Sequence, residues 1–276
     1  MVKKSGITQR VPARKSGSGR KKCRRKKKVI LPAIPVVLSA VIIVTCLFLL
    51  PVLRHRHEKG VTGPPLPDMA FSSCGIDISH NNAGPIVWDS LRVMTDRTGC
   101  TTLSVSDAVR ILPVRFVFIK ASEGSSMKDP RFREYWTEAG KRDIRRGAYH
   151  FFRSSKDAAA QARNFISAVG ELRHSDLPPV LDIETVHKGC STETLNRKVA
   201  EWLSIMEKHY GMKPIIYTSD YFADEVLSPE ITGSYSVWIA HYGVESPAWQ
   251  DWKYWQFTDK ARVYGMPEPV DLSIMR

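Results

Sequence analysis

Cysteine is sparse in this chain, and metal-site spacing is missing altogether. The five cysteines form no Cys-x-x-Cys pair and no zinc-type Cys/His pattern, which argues against a structural metal site. Neither a metal nor a cofactor is expected. Cys23 stands in a basic tail and Cys46 in an apolar run, with Cys74, Cys100 and Cys190 beyond them. These last three allow at most one bridge and leave one thiol over, and the spacing does not choose the pairing.

Acid is absent from the first 28 residues. They hold 13 of the 41 Lys and Arg, and the remaining 28 balance the chain's 28 acidic residues. The formal charge of +13 is therefore a property of a tail, and residues 29–276 are formally neutral. That balance speaks against a nucleic-acid partner for the folded part. The tail 1–28, rich in Lys, Arg, Ser and Gly, cannot bury enough apolar surface to repay the entropy of ordering.

A long charge-free run occurs once, over residues 29–53. About 20 apolar residues suffice to span a bilayer as a helix. Pro32 and Pro35 fall in its first turns, where they are best tolerated. The basic residues before it predict a cytoplasmic N-terminus, with the rest of the chain across the membrane. Arg54 and Arg56 on the far side weaken that bias only slightly. A cleaved signal peptide is the alternative, but no small-x-small cleavage site follows the run. Residues 54–72, with Gly60, Gly63, Pro64, Pro65 and Pro67, read as a linker. Residues 73–276 remain for one large domain.

Within that domain strands and helices alternate. Ile76–Ser79, Val114–Lys120, Arg146–Phe152, Val180–Glu184 and Lys213–Thr218 read as strands. Pro130–Ala139 and Asp157–Val169 read as helices, the second with Ser154 or Ser155 as N-cap and Gly170 past its end. Leu195, Val199, Trp202, Leu203 and Met206 make another helical stripe, closed by Gly211. A brief helix around Tyr221–Leu227 precedes three further strands, Tyr235–Ala240, Lys253–Phe257 and Pro269–Leu272. Residues 92–113 read as an insertion with its own helix, following a first helix. Such alternation predicts an α/β fold on a parallel sheet, open or closed into a barrel.

The chemistry gathers at one end of these strands. In Val180-Leu-Asp182-Ile-Glu184 two carboxylates stand at i and i+2, which places them on one face of a strand, ~6–7 Å apart at the backbone. Two such groups close together and partly desolvated cannot both ionise easily, so one becomes a proton donor near neutral pH. The strand C-termini also carry Asp77, Lys120, Glu123, Tyr149, Tyr217, Trp238, Tyr242, Gln256 and Asp271. In a parallel barrel that rim is where function sits. Carboxylates and aromatics on one rim describe a carbohydrate cleft. Lys120 and Glu123 read equally well as a structural ion pair. His80 and His241 are weak candidates, His150 reads as a buried histidine, and Trp255 as core. Cys190 has no base in view and is not expected to act as a nucleophile.

The motifs also resemble a known family. Gly75-Ile-Asp-Ile-Ser79, Phe118-Ile-Lys-Ala-Ser-Glu-Gly124, Gly147-Ala-Tyr-His-Phe-Phe152, Leu181-Asp-Ile-Glu184, Ile216-Tyr-Thr218, Trp238-Ile-Ala-His-Tyr242, Trp255-Gln256 and Val270-Asp271 follow in the order of glycoside hydrolase family 25, the Chalaropsis-type lysozymes. The resemblance covers roughly residues 73–273. It implies an irregular TIM-like barrel of five βα units followed by three strands, and cleavage of the β-1,4 bond between N-acetylmuramic acid and N-acetylglucosamine in peptidoglycan. By position Glu184 resembles the family's general acid, Asp182 its partner carboxylate, and Asp77 and Asp271 the flanking acids. Lys120, Glu123, Tyr149, Tyr217, Trp238, Tyr242 and Gln256 are the expected substrate-binding residues. One departure stands out: Ser273 occupies a position where the family usually has Asn.

The expected partners are thus peptidoglycan glycan strands and, through residues 29–53, membrane lipid. An inactive peptidoglycan-binding module of the same fold is the alternative function. The anchor reading predicts that N-terminal sequencing of the mature protein finds the basic tail in place. A new terminus between residues 46 and 74 would instead mean a cleaved signal and a secreted protein.

Overall fold

The structure is a computed structural model and describes residues 62–276 apart from Ala83. The expected tail 1–28, the apolar run 29–53 and the first part of the expected linker lie outside the described residues. Among the described residues no helix is long and apolar enough to cross a membrane.

Eight strands close a barrel. They are β1 Ser73–Ile78, β2 Arg110–Glu123, β3 Arg145–Phe151, β4 Val180–Asp182, β5 Ile215–Ser219, β6 Ser236–Ala240, β7 Trp252–Ala261 and β8 Val270–Met275. Strands β1 to β7 pair in parallel in chain order. Strand β8 closes the ring, antiparallel to both β7 and β1. Five α-helices lie between strands: α1 Phe132–Ala139, α2 Ala158–Val169, α3 Thr192–Tyr210, α4 Asp220–Glu225 and α5 Pro229–Thr232. The mixed α/β barrel agrees with the expected fold class.

Strand alternation sorts the side chains into two populations. Outward residues such as Ile76, Val117, Ala148, Leu181, Ile216 and Ile239 pack with the helix stripes, among them Phe165 of α2 and Val199, Trp202 and Leu203 of α3. Inward residues fill the barrel in layers. The lower layer is a separate cluster of Phe116, Phe118, Leu177, Val180, Ile215, Trp238 and Tyr254. Its rings stack closely, with Phe118 and Trp238 centroids 4.4 Å apart. Two glycines make room for them. A Cβ on Gly75 would stand 2.2 Å from the Phe116 ring, and one on Gly147 2.6 Å from Phe118. This aromatic plug is the floor on which the upper layer of polar residues stands.

The structure corrects several expectations. No α-helix follows β1; a single 3-10 turn, Trp88–Ser90, takes its place. The insertion 92–113 is not helical. Arg92–Thr95 pairs antiparallel with Cys100–Thr102 and with the start of β2. The turn between them needs Gly99 at φ 81°, and Asp96 accepts hydrogen bonds from the Thr98 and Cys100 backbone amides. A tight turn between β-branched residues favours paired strands over the expected helix. The expected linker 54–72 is, from Thr62 onward, part of the fold: Thr62–Pro65 is a strand paired with Cys100–Thr102. Its prolines are tolerated because that strand is an edge. The N-cap of α2 is Asp157, whose side chain accepts from the Ala160 amide, rather than Ser154 or Ser155. Cys74, Cys100 and Cys190 are all free thiols.

Candidate active site

The next inward positions above the plug carry the chemistry. On β2 the series Phe116, Phe118 continues to Lys120; on β4 Val180 continues to Asp182; on β5 Ile215 continues to Tyr217; on β7 Tyr254 continues to Gln256. With Asp77 of β1, Tyr149 of β3 and Asp271 of β8 they line one cavity of about 360 Å³. Glu184 and Trp238 line it as well. Glu184 lies two residues past Asp182, just beyond the end of β4, and not within the strand as expected. Asp182 is 5% exposed, whereas Glu184 is exposed. The loop between them is fixed by two bonds: the Ile183 amide donates to the Tyr217 carbonyl at 3.0 Å, and the Thr218 hydroxyl donates to the Ile183 carbonyl at 2.6 Å.

Gln256 organises the opposite wall. Its amide nitrogen donates to Asp77 at 2.8 Å. Its carbonyl oxygen accepts from the hydroxyls of Tyr217 at 2.7 Å and Tyr242 at 2.6 Å. Trp238 donates its indole N–H to the Ser273 hydroxyl at 3.0 Å, which fixes its ring between Phe118 and Tyr217.

Burial dominates the electrostatics. It pushes the Asp182 carboxyl well above the usual carboxylate range, and the Glu184 charge adds to the effect while Lys120 opposes it. Asp182 Oδ1 is buried without a hydrogen-bond partner among the described residues. Burial and then the Asp271 charge push Asp77 well up, against the hydrogen bond from Gln256. Burial, with the nearby Asp259 charge next, raises Asp271 to about 6. The Tyr149 and Tyr217 hydroxyls are held neutral, chiefly by burial.

Nine of the eleven expected site residues line this cavity. Glu123 and Tyr242 do not. Glu123 sits behind Lys120, accepting its ammonium at 2.7 Å and the Arg153 guanidinium on its other oxygen. Tyr242 reaches the site only through Gln256. The histidines lie elsewhere. His150 faces outward between Ser122 and Gln161, stacked on Trp202, and burial holds its imidazole at about 4. His80 pairs with Asp129 and His241 with Asp220. The expected-core residue Trp255 is fully buried among outward residues.

Sequence reasoning missed Asn81, Asn82, Phe151, Glu268 and Pro269, which also line the cavity. Phe151 was findable, as the inward position two residues after Tyr149. Asn81 and Asn82 come from the loop after β1, where Asn82 accepts the Ser79 amide at 2.8 Å. Loop positions have no alternation to reveal them. Among the described residues no three His, Cys, Asp or Glu side chains converge to hold a metal ion.

The family described as Glycosyl hydrolases family 25 matches residues 76–266. An uncharacterised protein, YegX, of Escherichia coli strain K12 is 37% identical over 207 residues, covering 74% of this chain and 70% of that protein. Lysozyme M1 of Streptomyces globisporus is 31% identical over 216 residues, covering 71% of this chain and 65% of that protein. The crystal structure of a bacterial lysozyme from Streptomyces coelicolor superposes with a TM-score of 0.63 at 29% identity, covering 76% of this chain and 94% of the other.

The raised carboxylates make stability depend on pH in a definite direction. A carboxyl whose folded pKa exceeds its unfolded value keeps its proton in the folded state after the unfolded chain has lost it, so stability falls as pH rises between the two. For Asp271 that window runs from 3.8 to about 6, and the loss is on the order of 3 kcal/mol. Asp77 and Asp182 act in the same sense. Urea unfolding at several pH values from 4 to 7 should therefore show a decline that Asp271→Asn reduces. Equal slopes in the two proteins would contradict this account.

Proposed function

The chain belongs to glycosyl hydrolase family 25, and from that membership we propose that its cleft cleaves peptidoglycan between N-acetylmuramic acid and N-acetylglucosamine, with Glu184 as general acid and the substrate's own acetamide as nucleophile. That it is a glycoside hydrolase of the lysozyme type follows from the family and its lysozyme relatives. The bond and the residue roles are the further step.

The observation that carries this reading is the orphan oxygen of Asp182 beside Glu184. A buried acceptor without a partner is costly unless a ligand satisfies it. Asp182 lines the cavity, so the N–H of a 2-acetamido group is a fitting donor. In that pose the acetamide carbonyl attacks the anomeric carbon as the glycosidic bond breaks. Glu184, the exposed member of the pair, gives its proton to the departing oxygen. Ionised Asp182 then holds the N–H of the positively charged oxazolinium ring. Water opens that ring while Glu184 takes the proton back, and configuration at the anomeric carbon is retained. This is the substrate-assisted exception to the two-carboxylate schemes. Tyr149, Tyr217 and Trp238 offer rings and hydroxyls to the sugar. Five carboxylates in one cavity favour an enzyme over an inactive binding module. The charge-free run 29–53 behind a basic tail supports a single-pass anchor. It would place the N-terminus in the cytoplasm and the catalytic domain on the periplasmic or other extracytoplasmic side, against the cell's own wall.

Two substitutions test the roles together. Glu184→Gln is nearly isosteric and removes the transferable proton, so wall-lytic activity should fall about 10²–10⁴-fold with unfolding unchanged. Near-wild-type activity would end the assignment. Asp182→Asn should lose activity on every 2-acetamido substrate at all pH values, because the amide carries no charge to offset the oxazolinium. If Asp77 or Asp271 were instead the nucleophile or the base for water, Asp182→Asn would keep its maximum rate and only shift its pH optimum. The pH–rate profile on soluble peptidoglycan fragments separates the two.

A further inference from the structure

Among the described residues lining the cavity there is one cation, Lys120, against the five carboxylates of Asp77, Asp182, Glu184, Glu268 and Asp271. Its side chain is 9% exposed, whereas Glu184 and Glu268 are exposed and only Asp182 is comparably buried. A buried ammonium must be paired to be tolerated, and its pairing is built with care. Glu123 accepts its charge at 2.7 Å, and Arg153 in turn holds Glu123. Both cations lie over the Phe151 ring, Lys120 at 5.0 Å and Arg153 at 4.5 Å. The backbone of Arg153 is clamped from both sides by Gln161, whose carbonyl accepts the Arg153 amide at 2.8 Å and whose amide donates to the Arg153 carbonyl at 3.1 Å. Burial acts to raise the Glu123 carboxyl, but the hydrogen bonds from Lys120 and Arg153 outweigh it and keep the group below its usual range. Glu123 therefore stays an anion.

We propose that Lys120 is a positioning residue whose fixed ammonium favours the ionised form of Asp182 beside the general acid Glu184. The inference rests on the substrate-assisted reading above and assigns a charge-setting task within it. That reading needs opposite states on two neighbouring carboxyls. The charged and titratable groups that face Asp182 mostly work against its ionisation. Glu184 on the same segment and Asp77 on β1 repel a second negative charge, and Lys120 alone of the charged groups favours it. Tyr149 on β3 and Tyr217 on β5, the strands that flank β4, are neutral. Asp271 lines the same cavity from β8. Inward alternation places Lys120 directly above Phe118 on β2, so its head is delivered to the cavity and not to the surface. Substrate binding was the role expected of Lys120; here its effect on the substrate runs through Asp182.

The test compares wild type, Lys120→Met, Lys120→Arg and Glu123→Gln in the full chain, by pH–rate profiles on soluble peptidoglycan fragments. Removing the cation should make Asp182 harder to ionise. The acid limb of kcat in Lys120→Met should then move up by about 1 pH unit or more, with KM little changed and the denaturation midpoint reported alongside. Lys120→Arg should restore the limb. Glu123→Gln, which keeps the cation, should not move it upward. An unmoved limb with a raised KM in Lys120→Met would mean that Lys120 binds substrate. Equal, pH-independent losses in Lys120→Met and Glu123→Gln would mean a merely structural pair; either result overturns the proposal. Infrared titration of the Asp182 carboxyl, taken as the difference from Asp182→Asn, reads the same shift without turnover. It decides the question even if wild type proves inactive on this substrate, an outcome that would fault the functional reading alone. If Lys120→Met does not fold, Lys120→Gln neutralises the same charge and is read in the same way.

Discussion

Asp77 and Asp271 meet as direct partners where β8 closes the barrel against β1. Everything at the cleft depends on that closure. A strand inserted antiparallel between β7 and β1 brings the last acid of the cleft beside the first, and ring closure leaves no barrel edge open. It also sets two like charges together in a buried place, which costs free energy. The structure offsets part of that cost with Gln256, which donates to Asp77 and is itself held by two tyrosine hydroxyls. The remainder is left as raised carboxyl pKa values, which is the state a proton-transfer site requires.

Much of this was legible because the barrel turns sequence position into spatial layer. Once a strand is recognised, alternation decides which residues face inward, and the order along the strand decides how high they stand. Asp182, Tyr217 and Gln256 were found at strand C-termini, and alternation explains their place, each two residues after an inward apolar or aromatic residue. The same rule explains why His150, read as a buried histidine, and Trp255, read as core, stand outside the barrel. The rule fails where the strand ends. Glu184 has left β4 and owes its position to the Ile183 and Thr218 hydrogen bonds, which no periodicity encodes. Asn81, Asn82 and Glu268 stand in loops and were missed for the same reason. The hairpin at 92–102 was misread because its turn is made by Asp96 and Gly99, a short-range signal.

Ser273 shows how a departure from the family pattern is absorbed. At the position where the resemblance leads one to expect Asn, Ser273 is fully buried and accepts the Trp238 indole N–H. A hydroxyl suffices for that bond, since one lone pair is all the indole needs. The position therefore acts on the floor of the cleft and not on the sugar. It fixes the ring that links the aromatic plug to Tyr217. The substitution leaves Asp271, two residues earlier on β8, in its place beside Asp77.

The floor and the charges above it form one device. Phe116, Phe118, Trp238 and Tyr254 keep water out from below, and low polarity there is what makes burial the leading influence on Asp77, Asp182 and Asp271. A wetter barrel would screen those carboxyls and return them to ordinary acids. The space that admits the plug depends in turn on Gly75 and Gly147, which have no side chain to collide with Phe116 and Phe118. Two residues with nothing to contribute chemically thus decide how dry the site is, and dryness decides which of its carboxyls can hold a proton at the pH where the enzyme must use it.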